Sequence, residues 1–230
     1  MNSNCLGEKE NLIDILCNAV DTDSKNIINS TKGQGGKLLL FGTRNSVFLR
    51  MVKKKCDSFG IPCVFSHESF EPPYTAVLCD TEEGHNMAGR IPTELDVDKV
   101  NSLGMPCVAQ AVLFLLLNST NLLGKDVTIV GRGHSVKGLA KALLSQNATV
   151  TVAHSKTARL FSATENKDIV IYATPQITQE ISYNTRLAVI DLAGAVPHPD
   201  RLNCPYHDRV GKLTVSILIN RFLSRHWEVC

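Results

Sequence analysis

Residues 124–157 read GKDVTIVGRGHSVKGLAKALLSQNATVTVAHSKT, and their order decides the fold. Val127 to Val130 is an apolar, β-branched run of the kind that fills a strand buried on both faces of a parallel sheet. Gly131, Gly133 and Gly138 then fall within eight residues, too glycine-rich for a helix interior. Leu139 to Gln146 restores helical composition, and Thr149 to Ala153 is a second β-branched run. Strand, glycine-rich turn, helix and strand make a right-handed βαβ unit. Its first turn is expected to aim backbone N–H groups at a phosphate.

The glycine spacing is G-x-G-x-x-x-x-G, which departs from the usual dinucleotide pattern G-x-G-x-x-G. Val136 stands where the third glycine is expected, and Gly138 follows two places later. A tight strand-to-helix turn without a ligand has the same appearance. The end of the second strand discriminates further. A site that prefers NAD places Asp or Glu there to hold the ribose 2′-hydroxyl. Here the residues are His154-Ser155-Lys156, with no acid. Arg132, Ser155 and Lys156 would instead surround a 2′-phosphate through charge-assisted hydrogen bonds, so the expected cofactor is NADP. The plainer reading of Arg132 and Lys156 is a pair of solvated loop charges.

The 230 residues suffice for one large domain or two small ones, and a formal net charge of +2 gives no basis for nucleic-acid or membrane-surface binding. The start, MNSNCLGEKENLIDIL, lacks a basic segment followed by an apolar one, so no signal peptide is read and a cytoplasmic location is expected. Val108 to Leu117, the longest apolar run, is broken by Gln110 and too short to span a bilayer. The cysteines at positions 5, 17, 56, 63, 79, 107, 204 and 230 form no Cys-x-x-Cys pair, and reduced, mostly buried thiols are expected. His198, Cys204 and His207 lack a fourth ligand at suitable spacing, so no metal site is expected.

Upstream, Asn11 to Val20 has the apolar spacing of a short amphipathic helix, with Leu12, Ile13, Leu16 and Val20 on one face. Lys32 to Gly36 reads as a flexible connection, Lys37 to Phe41 as a strand, and Gly42 to Asn45 as a turn. Val47 to Phe59 reads as a helix ended by Gly60, followed by short strands at Cys63 to Ser66 and Thr75 to Cys79. Downstream, Cys107 to Asn118 should be a helix leading into the βαβ unit. Asp168 to Thr174 and Leu187 to Asp191 should be further strands, and Val210 to Ser224 a helix. The expected fold is therefore α/β: a small N-terminal α/β domain over residues 1–105, then a Rossmann-like nucleotide-binding domain with a parallel sheet over residues 106–230. The C-terminal helix is expected to pack back on the first domain.

From Pro106-Cys107 through LLGKDVTIVGRGHSVKG to NATVTVAHSKT, the chain resembles the bifunctional methylenetetrahydrofolate dehydrogenase/methenyltetrahydrofolate cyclohydrolase family. That family shows a PCTP segment, GRSxxVGxP after the first strand and CHSKT or CHSRT after the second. In this chain Val108 replaces the threonine of PCTP, Gly133 the serine, Lys137 the second glycine and Leu139 the proline. The family's NADP contacts map onto Gly131, Arg132, Gly133 and Ser155. The later LAVID run resembles the family's VVIDVGI and puts Gly194 near the cofactor edge. The Val210 helix resembles its GGVGPMTVAMLLENT segment, with Arg209 and Lys212 replacing a glycine and a proline.

Over the N-terminal half the resemblance is eroded and the substrate domain is shortened. VFLRMVKKKCDSFGI resembles the family's Y-V-x-x-K-x-K-A-C helix. An ungapped match sets Phe48 at the tyrosine and Val52 at the lysine that serves the cyclohydrolase step. A one-residue slip sets Lys53 at the lysine and Leu49 at the tyrosine, and one residue along a helix is about 100° of rotation. Lys53-Lys54-Lys55 also reads as a solvated basic face. Pro92-Thr93-Glu94-Leu95-Asp96-Val97-Asp98 resembles the family's P-x-KDVDG, with Asp98 at its second acid, which there contacts the folate. A charged loop without a ligand is equally compatible.

The candidate site residues are thus Lys53 and Asp98 for catalysis, and Gly131, Arg132, Gly133, Ser155, Lys156 and Gly194 for the cofactor. The resemblance implies a folate-type small-molecule substrate, NADP-dependent oxidation of 5,10-methylenetetrahydrofolate, doubtful cyclohydrolase activity and a homodimer. The alternatives are a non-catalytic dinucleotide-binding relative acting as a binding or regulatory subunit, and an NADP oxidoreductase for another small substrate.

Overall fold

The structure is a computed structural model that describes residues 4–31, 35–42, 45–66, 74–79, 91–92, 94–98 and 104–226. Several positions used in the sequence reading lie outside the described residues: Lys32, Gly33, Gln34, Thr43, Arg44, Thr93 and Cys230. The chain divides into two compact units, Leu16–Cys107 with Lys212–Cys230, and Met1–Ile15 with Val108–Gly211.

The chain begins with α1 (Asn4–Ser30), which runs well past Val20, where the apolar spacing ended. Asp21-Thr22-Asp23-Ser24 looks like a helix-breaking polar cluster, yet each member finds a partner on the helix or beyond it. Thr22 and Ser24 donate their hydroxyls back to Asn18 and Val20 carbonyls at 2.8 and 3.0 Å. Asp21 is ion-paired to Lys55, and Asp23 accepts from Asn220 at 2.6 Å. With those partners in place the helix continues.

Next come β1 (Leu38–Phe41), α2 (Val47–Ser58), β2 (Cys63–Ser66) and β3 (Ala76–Cys79). The three strands form a parallel sheet in the order β2-β1-β3, with Leu38 opposite both Cys63 and Ala76. Every residue of β1 and β3 is buried, which matches their unbroken apolar sequences. Helix α2 starts where the Ser46 side chain accepts from the Leu49 N–H at 3.2 Å, and the chain leaves it through Gly60 at a φ of +68°.

The second half contains α3 (Cys107–Ser119), β4 (Asp126–Val130), α4 (Leu139–Ser145), β5 (Thr149–Ala153), α5 (Leu160–Thr164), β6 (Ile169–Tyr172), β7 (Ala188–Asp191), β8 (Tyr206–His207) and α6 (Val210–His226). Its five strands form a parallel sheet in the order β5-β4-β6-β7-β8. Strand β4, flanked on both sides, is in register with both neighbours, Val130 opposite Ala153 and Tyr172. Its fully buried Thr128 hydroxyl donates to the Ala163 carbonyl at 2.7 Å. On one face of this sheet Val130, Ala153, Val170, Tyr172 and Val189 pack with Leu160 and Ile181.

The architecture is the expected one, an α/β chain with a small N-terminal parallel sheet and a five-stranded Rossmann-like nucleotide-binding sheet. Helix α5 and strand β8 were not read from the sequence, because five and two residues are too few to show a period. Cys17, Cys56, Cys63, Cys79, Cys107 and Cys204 are buried and in no disulfide among the described residues. Among the described residues no helix is long and apolar enough to cross a membrane.

Candidate functional site

Strand β4 delivers the chain at Val130 into Gly131, whose φ is +124°. A Cβ built there would stand 2.9 Å from the Ala173 carbonyl oxygen, so the turn has room only for glycine. The Gly131 N–H continues the sheet by donating to the Ala153 carbonyl at 2.8 Å. The chain then rises into one turn of 3-10 helix, His134–Val136, in which Val136 and Lys137 donate to the Gly133 and His134 carbonyls at 3.3 and 3.0 Å. The sequence reading aims this turn's N–H groups at a phosphate, and the turn itself uses some of them. Those of residues 131, 136 and 137 are used by the protein, whereas among the described residues the N–H groups of Arg132 and Gly133 have no hydrogen-bond partner. Gly138 supplies the left-handed step, at a φ of +79°, that starts α4. The unusual spacing therefore has a conformational cause: the 3-10 turn moves the glycine requirement to position 138.

Above this turn lies a crevice of about 300 Å³ lined by Ile129, Gly131, Arg132, Gly133, His134, Val136, Lys137, Ala140 and Val152. Arg132, Lys137 and His134 are its basic side chains, and among the described residues no carboxylate lines it. Apolar and cationic side chains in one lining suit an organic anion, and they fit the dinucleotide expected from the sequence.

The structure brings Gly131, Arg132 and Gly133 together around this crevice. Ser155 and Lys156 stand exposed just beyond β5, the neighbour of β4, outside the crevice lining. Their turn is held by His154, whose N–H donates to Thr157 Oγ1 at 2.8 Å and whose Nδ1 accepts the Lys156 N–H at 3.1 Å. Gly194 is exposed in the loop after β7, with a φ of +67°.

That loop is organised by a residue that sequence reasoning left unused. The Asp191 carboxylate is buried at the end of β7 and accepts the N–H groups of Ala193, Ala195 and Val196 at 3.1, 3.0 and 2.9 Å. It also accepts the Tyr206 hydroxyl at 3.0 Å. Burial and the adjoining carboxylate push the Tyr206 phenol pKa upward, so the hydroxyl stays a donor. The available signal was the acid closing the LAVID run, a residue type that stays at a buried strand end only when it is fully bonded.

In the other unit Val52 is 0% exposed and belongs to the core, so the ungapped register puts an apolar side chain on the buried face of α2. Lys53 is partly exposed and ion-paired to Asp57 one turn along. The hydrogen bond and charge of Asp57 hold its ammonium above the ordinary lysine range. Asp98 accepts the Cys107 N–H at 2.7 Å and so tethers the start of α3. Burial pushes its carboxyl above the usual carboxylate range, against the pull of that N–H and of the Arg221 guanidinium. Lys53 and Asp98 are thus each engaged by a different partner. Among the described residues no group of three or more His, Cys, Asp or Glu side chains is gathered as a metal site would need; His198 is exposed, while Cys204 and His207 are buried.

Residues 106–195 match the tetrahydrofolate dehydrogenase/cyclohydrolase, NAD(P)-binding domain family. The bifunctional protein FolD of Thermotoga petrophila is 33% identical over 189 residues, which span 73% of this chain and 65% of that relative's length. Among solved structures, the Trypanosoma brucei methylenetetrahydrofolate dehydrogenase-cyclohydrolase, complexed with NADP cofactor and inhibitor, superposes with a TM-score of 0.71 at 20% identity, covering 95% of this chain and 94% of that one. The NAD-dependent methylenetetrahydrofolate dehydrogenase of Saccharomyces cerevisiae gives a TM-score of 0.70 at 14% identity, covering 94% and 95%. At those identities the likeness to the solved structures is one of fold.

Proposed function

This chain belongs, as a distant member, to the FolD dehydrogenase/cyclohydrolase family, and from that membership we propose that it oxidises 5,10-methylenetetrahydrofolate to 5,10-methenyltetrahydrofolate with NADP as acceptor. The observation that carries the cofactor half of this reading is the cation-lined crevice at the Gly131 turn, together with the acid-free His154-Ser155-Lys156 turn after β5. In the proposed arrangement Gly131 lets the backbone approach the dinucleotide. Arg132, Ser155 and Lys156 bind the 2′-phosphate, and the Asp191-anchored loop presents Gly194 to the cofactor edge.

When bound, the cofactor supplies the hydride acceptor. The methylene C–H bond breaks with its electron pair leaving as hydride, and the folate is left as the methenyl cation. No side chain has to take a proton, so the protein's part is to hold two rings at reacting distance. An eroded substrate half is compatible with that demand. Asp98 is proposed as the folate contact, as the family resemblance implies.

Hydrolysis of the methenyl product makes a different demand, since it needs water activation and a group to stabilise developing charge. Val52 is buried, and the neighbouring Lys53 ammonium is held charged by Asp57. We therefore place the cyclohydrolase rate well below the dehydrogenase rate. The same observation favours one second reading, a dinucleotide-binding relative without folate chemistry. A cytoplasmic homodimer is proposed on the resemblance alone.

The test is reduction of NADP, followed at the nicotinamide absorbance, with 5,10-methylenetetrahydrofolate as substrate and NAD in parallel. Turnover with NADP and accumulation of the methenyl product are expected. Tight NADP binding without turnover would remove the dehydrogenase assignment and leave the binding-protein reading.

A further inference from the structure

The glycine turn carries a side chain that the family pattern lacks. Where GRSxxVGxP has its second glycine, this chain has Lys137. The backbone there has a φ of −58° and a ψ of 128°, a conformation open to any residue, because the left-handed step falls on Gly138. A side chain at 137 is therefore free of backbone strain, and it lines the crevice with Arg132 and His134.

The same turn uses backbone N–H groups that a strand-turn-helix unit ordinarily turns toward the pyrophosphate. Those of Val136 and Lys137 close the 3-10 turn on the Gly133 and His134 carbonyls. The helix that follows has seven residues, so its dipole adds little. A phosphate at this turn meets fewer backbone donors, and a lysine stands at the place where they were lost.

We infer that Lys137 is a pyrophosphate-binding residue of this chain, supplying as a side-chain cation what its turn withholds as backbone amides. The inference rests on the dinucleotide reading above and deepens it. Two cationic groups then have separate tasks. Lys137 lies between the 3-10 turn and α4, on the path of the pyrophosphate, and serves any dinucleotide. Lys156, at the end of the second strand of the βαβ unit, meets only the 2′-phosphate that separates NADP from NAD.

The experiment is calorimetric titration of the full chain with NADP and with NAD, for the natural sequence and for Lys137→Gly, Lys137→Gln and Lys156→Ala, at several salt concentrations. Lys137→Gly and Lys137→Gln are expected to weaken both dinucleotides by the same factor, about tenfold for one charge-assisted contact. Both should also flatten the salt dependence of binding. Lys156→Ala is expected to weaken NADP and leave NAD unchanged. Lys137→Gln covers the case in which added glycine loosens the turn. Unchanged affinity for both dinucleotides in both Lys137 variants would overturn the inference, as would a loss confined to NADP, which would move Lys137 to the 2′-phosphate. If the natural sequence binds neither dinucleotide, the reading of the site fails at that step, before any substitution is compared, and the inference falls with it.

Discussion

Asp98 shows how a residue picked out by sequence pattern acquires a physical role that the pattern did not contain. Its carboxylate tethers the Cys107 N–H at 2.7 Å, and burial raises its pKa. An acid with a raised folded-state pKa binds its proton more tightly folded than unfolded. Its stabilising contribution is therefore complete below the unfolded value of about 3.9 and is lost as pH rises through the folded pKa. At neutral pH the charge costs stability. Asp98→Asn keeps an oxygen to accept the Cys107 N–H and removes the charge. It should melt about 2 °C or more above the natural sequence at pH 7 and with it at pH 3. A lower melting temperature at pH 7 would show that the ionised carboxylate is stabilising. At this scale the sequence was informative where geometry is local: Gly131 and Arg132 could be found because a strand and a glycine announce the turn. Lys137 drew notice only as a departure from a family pattern, since its use depends on which neighbouring amides the 3-10 turn consumes.

Elements were legible in proportion to their length and to how local their causes are. The buried strands β4, β6 and β7 declare themselves as apolar runs with β-branched residues, β1 as an unbroken apolar run, and α2 shows its start and its closing glycine. The second half of α1 did not, because its polar residues are satisfied by Lys55 and Asn220, which are remote in sequence. The loop after β7 is the clearest case of an element built by one side chain. Three backbone N–H groups and one phenol converge on Asp191, and an acid at a strand end reads equally well as the first residue of a solvated loop. Replacing Asp191 by Ala leaves four donors without their acceptor. Bonds to a charged group contribute about 1.5–3 kcal/mol each, and the loop can recover some of them from water. A net loss of roughly 3 kcal/mol is expected in denaturant unfolding, together with a raised KM for the dinucleotide. Asp191→Asn should recover part of both. Stability within about 0.5 kcal/mol of the natural sequence would mean that the loop is not held by this carboxylate.

On the scale of the whole molecule, the chain contains two parallel sheets of unequal size, and its family likeness is unevenly spread between them. The nucleotide-binding half keeps the strand-turn-helix-strand unit and matches its family over residues 106–195. In the other half the position corresponding to the cyclohydrolase lysine is either a core valine or an ion-paired neighbour. Hydride transfer asks the protein mainly for placement, and hydrolysis asks for a specific ionisable group. Erosion of that kind therefore removes the second activity before the first. The fold was readable from sequence because α/β order is written in runs of residues. The function of the substrate half was not, because it depends on which side of one helix faces inward.

The cofactor site bears the weight of this account, and the relative affinity for NADP and NAD tests it most directly. Equilibrium titration of the unaltered chain with each dinucleotide at one salt concentration is sufficient. The proposed charge-assisted contacts from Arg132, Ser155 and Lys156 to a 2′-phosphate predict that NADP binds at least about tenfold more tightly than NAD. Equal affinity, or tighter binding of NAD, would contradict it.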